Sequence, residues 1–107
     1  MSYASAQESN QQEVQFQVER VFRIEGVLDA NSTHVVRRQL DEILADNPHR
    51  VVVDAGDLRL IDSTGIGVLV NAFKQLRQRG GRLIVTGLRD QPLAMFRLLR
   101  LDRVLMG

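Results

Sequence analysis

The residues best placed for chemistry in this 107-residue chain are Asp62, Ser63 and Thr64, followed at once by Gly65, Ile66 and Gly67. A carboxylate and two hydroxyls in a row can cap a helix, accept a phosphoryl group or meet the polar groups of a partner. Apolar residues then recur at Ile66, Leu69, Val70, Phe73 and Leu76, the spacing of one helix face. The three polar residues therefore predict the start of that helix. Two roles fit Ser63. As the cap it accepts a bond from a free amide of the first turn, worth about 0.5–2 kcal/mol. As a phosphoacceptor it carries its phosphate at the positive end of the helix dipole, among unpaired N–H groups. Thr64 is the alternative acceptor, or simply a first-turn residue. Two glycines in a first turn cost about 1 kcal/mol each against alanine. Close approach of another backbone or a ligand is the expected reason. The low ridge they leave would let a partner enzyme reach the hydroxyl.

Other catalytic constellations are absent from the sequence. His34 and His49 are the only histidines and stand apart, and there is no cysteine, so neither thiol chemistry nor a typical zinc site is expected. Ser63 is not in a Gly-x-Ser-x-Gly elbow. No phosphate-binding loop pattern occurs, and Gly65-Ile66-Gly67 lacks the third glycine of a dinucleotide fingerprint. The expectation is a protein that is not an enzyme, with no cofactor and no metal.

The elements that position the motif follow from hydrophobic periodicity. Residues 1–12 are polar and read as a disordered lead, and residues 13–107 as one domain. Val14, Phe16 and Val18 alternate with polar residues, a half-buried strand. A turn at Glu19-Arg20 then leads to a second strand through Phe22, Ile24 and Leu28, pairing antiparallel with the first. Asn31, Ser32 or Asp29 can cap a helix whose stripe is Val36, Leu40, Ile43 and Leu44, ended by Asn47-Pro48. Val51-Val52-Val53 reads as a central strand covered on both faces. A loop over residues 57–61 precedes the motif helix, which ends at Gly80-Gly81. Another buried strand runs from Leu83 to Val85. Asp90 then caps a third helix that carries Pro92, Leu93 and Phe96, and a last short strand covers residues 103–106. The fold predicted is α/β: a mixed, mostly parallel sheet of four to five strands with about three helices packed on it. Asp29, Asp54, Ser63 and Thr86-Gly87 would then share one sheet edge, where open α/β sheets bind ligands and partners. Asp54 would orient a loop or bond backbone amides there.

The stretch Ile61-Asp62-Ser63-Thr64-Gly65-Ile66-Gly67-Val68-Leu69 resembles the signature of the STAS domains of bacterial anti-sigma factor antagonists. Gly26-Val27-Leu28-Asp29 resembles the family's Gly-Glu-Leu-Asp segment, Val51-Val52-Val53-Asp54 its central strand, and Gly80-Gly81-Arg82-Leu83-Ile84-Val85 its next strand. The resemblance implies that the unmodified protein docks on an anti-sigma factor serine kinase and so frees a sigma factor. It implies that phosphorylation of Ser63 ends the docking and that a serine phosphatase restores it. It also implies partner contacts through Asp29, Asp62, Ser63, Thr64, Gly65, Ile66 and Gly67. STAS-like domains serve as well as scaffold pieces of stress-sensing complexes and as accessory subunits of transporters, which is the alternative. Family members commonly carry a further C-terminal helix. This sequence ends at Gly107, so either it is short or this member lacks that helix.

Composition is that of an ordinary globular chain, 44% hydrophobic and 25% charged. No apolar run is long enough to span a membrane, and residues 1–12 show no secretory signal. A cytoplasmic protein with no membrane contact is expected. Net charge is +1, but residues 1–73 hold 6 basic and 11 acidic side chains, and residues 74–107 hold 8 and 2. Such asymmetry can mark a nucleic-acid or anionic patch, or a solvated surface whose arginines pair with the acidic half. Aromatics do not interleave with the basic residues, so no base-stacking platform and no direct nucleic-acid partner are expected.

Overall fold

The structure, a computed structural model, describes residues 18–106. Strand β1, Glu19–Leu28, turns Ile24 and Leu28 into the core and leaves Val21, Arg23, Glu25 and Val27 exposed. The strand expected at Val14 and Phe16 lies outside the described residues. The turn expected at Glu19-Arg20 is instead the start of β1. Glu19 pairs with Arg50 and Arg20 with Val51 on the neighbouring strand. Ion pairs accommodate these polar residues in a strand, Arg50 to Glu19 at 3.2 Å and Arg20 to Asp46 at 2.7 Å.

Helix α1, Thr33–Ala45, buries Leu40 and Leu44 and partly buries Val36 and Ile43, the stripe read from the sequence. Asn47 ends it in the left-handed conformation, φ 52°, which asparagine tolerates. Strand β2, Arg50–Ile61, runs parallel to β1 on one side and to β3, Arg82–Thr86, on the other. The described sheet thus has three parallel strands in the order β1-β2-β3.

The stretch 57–61 is strand, not loop. Inward-facing residues of β2 fall at Val51, Val53, Ala55, Leu58 and Ile61, so the period changes from two to three midway. Two register irregularities against β1 cause this, between Arg23 and Glu25 and between Gly26 and Val27. Each inserts an extra residue into β2, which breaks the alternation that a strand normally shows. Gly26 bends the partner strand at φ +75°.

Helix α2, Ser63–Gln78, packs against α1 and β3. It closes with Gly80 at φ +81°, whose amide bonds Arg77 O at 3.0 Å while that of Gly81 bonds Leu76 O at 2.9 Å. Helix α3, Asp90–Leu98, lies on β2 and buries Pro92 and Phe96. Asp90 is its first residue, at φ +53°, rather than its cap, and Arg89 holds the cap position without a side-chain bond.

The last short strand expected over residues 103–106 is instead helix α4, Asp102–Leu105, packed on β3. The amides of Val104 and Leu105 both bond to Leu101 O, at 3.1 and 2.8 Å. A single tight turn suffices to bring Leu105, 1% exposed, into the core while Val104 stays outside. We therefore expect Leu105→Ala to cost about 2–5 kcal/mol in urea unfolding. Val104→Ala should stay within about 0.5 kcal/mol of the parent. Similar losses at both positions would contradict the burial of Leu105 beside an exposed Val104.

Candidate functional site

The ends of β1 and β2 meet just before α2. Leu28 pairs with Ile61, and the amide of Asp62 donates to Leu28 O at 3.2 Å. The first turn of α2 crosses directly over this point. A Cβ built on Gly65 would stand 2.7 Å from Leu28 O and 2.8 Å from side-chain atoms of Ile61 and Leu28. Backbone proximity is therefore the reason for the first glycine. Gly67 meets nothing within 4 Å and faces solvent, so packing does not require it.

Asp62, not Ser63, caps the helix. Its extended backbone aims the carboxylate back along the first turn, where Oδ1 accepts from the amides of Thr64 at 2.9 Å and Gly65 at 3.1 Å. Thr64 Oγ1 donates to the same oxygen at 2.5 Å. These bonds favour the ionised carboxylate and hold the Asp62 pKa below the usual range, with the Thr64 hydroxyl as the largest cause and the Gly65 amide next. A carboxylate at this place also complements the helix dipole. Ser63 becomes the first residue of the helix. Its side chain is exposed, and its hydroxyl makes no hydrogen bond among the described residues. The two candidate acceptors thus differ: Thr64 is tied to Asp62 and Ser63 is free.

Asp29 follows β1 directly, half-buried. Its Oδ1 accepts from the amide of Asn31 at 2.9 Å, and its carbonyl accepts from those of Ser32 and Thr33. It shapes the turn into α1, while Ser32 holds the cap position and bonds Val27 O at 2.8 Å through its hydroxyl. Asp29 and Asp62 line one shallow cleft of about 300 Å³ with Val27, Leu60, Ile61 and Gln91. Val27 and Leu60 are register partners, 39% and 50% exposed, so an apolar pair lies beside the two carboxylates.

Gln91 has a role that its sequence context does not show. Its amide takes the place of a further strand: Oε1 accepts from Ile61 N and Nε2 donates to Ile61 O, both at 2.9 Å. Beyond Asp54 the edge of β2 has no β3 partner, because β3 ends at Thr86 opposite Asp54. Gln91 thus satisfies the last residue of β2, one position before Asp62. A lone glutamine in a first helical turn carries no sequence signal for this.

The single edge expected for Asp29, Asp54, Ser63 and Thr86-Gly87 is divided. Asp54 pairs with Arg23 and Thr86, seven residues before the end of β2, and its Oδ1 accepts from Gly56 N at 3.0 Å. β2 runs on from Asp54 to Ile61 past the end of β3, which separates Asp54 and Gly87 from the motif. Within the motif, Gly65 and Ile66 are buried, so Asp62, Ser63, Thr64 and Gly67 form its outer surface. Among the described residues no group of three His, Cys, Asp or Glu could hold a metal, and no helix is long and apolar enough to cross a membrane.

This parallel sheet, with a capped helix opening at the end of β2, defines a STAS fold. The solved structure of the anti-sigma factor antagonist SpoIIAA in its unphosphorylated form matches with a TM-score of 0.74 at 19% identity, over 87% of this chain and 82% of that one. The Bacillus cell fate determinant SpoIIAA in the phosphorylated form matches with a TM-score of 0.65 at 21% identity, over 80% of this chain and 78% of that one. The sequence profile of the family described as "Mlab, STAS domain" covers residues 12–107. The chain belongs to the STAS-domain family. An anti-sigma-B factor antagonist of Listeria monocytogenes is 32% identical over 82 residues, 77% of this chain and 72% of the relative.

Two outcomes follow from this geometry. Gly65→Ala should cost about 1–3 kcal/mol by overpacking, whereas Gly67→Ala should add up to about 1 kcal/mol, both read by thermal or urea unfolding. Equal effects at the two positions would contradict the assignment of Gly65 alone to packing. Asp62 contributes stability above its unfolded pKa and loses it as pH falls through its lowered folded pKa. In Thr64→Val the Asp62 carboxyl should titrate at higher pH by NMR, and the stability that Asp62 loses on acidification should be smaller. An unchanged midpoint would show that the Thr64 hydroxyl does not hold the carboxylate.

Proposed function

We propose that this protein is an anti-sigma factor antagonist switched at Ser63. In its unmodified form it binds an anti-sigma factor serine kinase and so releases a sigma factor to transcription. The kinase transfers the γ-phosphoryl group of ATP to Ser63 Oγ, releasing ADP and the hydroxyl proton, and the modified protein lets go. A serine phosphatase returns the hydroxyl. The relatives' names carry the role to this chain, and one observation supports the site: the exposed, unbonded hydroxyl of Ser63 beside a cap already provided by Asp62. A free hydroxyl can be modified without dismantling the helix end.

Electrostatics supply the switch. A phosphate adds roughly −1.5 to −2 charges, next to the ionised Asp62 and near Asp29 across the cleft. Like charges brought against a partner's surface cost several kcal/mol. The helix dipole favours a phosphate at this end, and the cap amides stay with Asp62, so no rearrangement of the fold is needed. Gly67 leaves that surface low enough for close packing.

The test is a comparison of Ser63→Ala and Ser63→Asp as baits in lysate of the source organism, with bound proteins identified by mass spectrometry. Ser63→Ala should retain a kinase that Ser63→Asp loses by about tenfold or more, the ratio that 1.4 kcal/mol of repulsion gives. Equal recovery of the same proteins by both baits would reduce Ser63 to a helix residue and favour a scaffold subunit of a larger complex.

A further inference from the structure

A second exposed surface lies at the other end of α3. Leu98, Leu99, Val104 and Met106 are 75%, 47%, 47% and 37% exposed, all within nine residues. Such clusters on a small domain mark interaction sites more often than scattered single residues do. The stretch is folded back on itself, with Leu101 N bonding Phe96 O and Leu105 N bonding Leu101 O, both at 2.8 Å. Phe96 and Leu105 anchor it from beneath at 0% and 1% exposure. The exposed leucines therefore stand on a fixed platform and are not core residues awaiting cover from their own helices.

Arg97, Arg100 and Arg103 are exposed in the same stretch. Among the described residues none has a carboxylate within 4.0 Å, whereas Arg20 and Arg50 each have one and Arg23 has two. Arg100 is also in a conformation unfavourable to its type. It sits at φ +59° just past the end of α3, making the closing bonds that Gly80 makes after α2 at φ +81°. Glycine is the residue this position favours, and a side chain there works against the backbone. Its presence is accounted for if the guanidinium is needed at the surface.

We propose that residues 97–106 form a docking surface for an acidic amphipathic segment of a partner protein. Arginines with no carboxylate partner among the described residues, interleaved along the stretch with exposed apolar side chains, match a segment that presents leucine-like residues flanked by carboxylates, which the planar guanidinium binds in bidentate fashion. A lipid surface fits less well. It takes a helix with a free apolar face along its length, but α3 turns Pro92 and Phe96 into the core and α4 has four residues. Seven residues of helix, about 10 Å at 1.5 Å per residue, separate Gln91 from Leu98. The surface is therefore distinct from the Ser63 cleft and does not depend on its chemistry.

The test uses the full chain and two probes: a fluorescein-labelled helical peptide of roughly 15 residues, with leucines on one face flanked by glutamates, and vesicles of phosphatidylglycerol. Anisotropy should show saturable peptide binding that weakens with added salt. The combined change Arg97→Glu, Arg100→Glu, Arg103→Glu should weaken it at least about tenfold, and Ser63→Asp should leave it unchanged. Arg100→Gly should raise the unfolding midpoint while weakening the peptide, opposite signs that misfolding does not produce. Absence of peptide binding, peptide binding indifferent to charge reversal, or binding to the vesicles in its place would overturn the proposal.

Discussion

The carbonyl of Leu28 is the point on which the site depends. It accepts the amide of Asp62 and occupies the space a side chain at residue 65 would need. Together these pin the start of α2 to the end of β1. With the backbone of Asp62 fixed in an extended conformation, its carboxylate falls on the amides of Thr64 and Gly65. That one arrangement determines the rest: Thr64 is drawn inward to Asp62, and Ser63 is left pointing out. On the far side of β2, Gln91 holds Ile61 by both of its backbone groups. The residue before the cap is therefore fixed from both sides, and a chemical change at Ser63 meets a rigid base.

The two glycines of the motif divide its work. Gly65 belongs to the fold, because a strand end crosses it. Gly67 belongs to the surface, because nothing in the described chain comes near it. A residue that weakens a helix without helping its packing is informative about what lies outside the chain. The contrast between Gly80 and Arg100 after two helices runs the other way. The same left-handed closure is made once with the residue that suits it and once with a residue that carries a charge.

Much of this was legible in the sequence. The stripes of α1 and α2, the parallel strands at Val51-Val52-Val53 and Leu83 to Val85, and the glycine closure at Gly80-Gly81 all follow from period and terminus chemistry. The motif marked the helix start to within one residue. Sequence types could not decide between Asp62 and Ser63 as the cap, since both suit the position and only the pull of Leu28 selects one. Residues 57–61 looked like a loop because two extra residues in β2 break the alternation. Helix α4 was hidden because four residues fit either period. The bond of Gln91 to Ile61 links positions thirty apart and leaves no local pattern.

The most direct test of the central claim is the site of phosphate attachment after incubation with the cognate kinase and ATP, mapped by fragmentation mass spectrometry. With Asp62 as the cap and Thr64 bound to it, the phosphate should be on Ser63 alone, and Ser63→Ala should take up none. Phosphate on Thr64 in the parent chain, or undiminished incorporation in Ser63→Ala, would show that the cap does not select the acceptor.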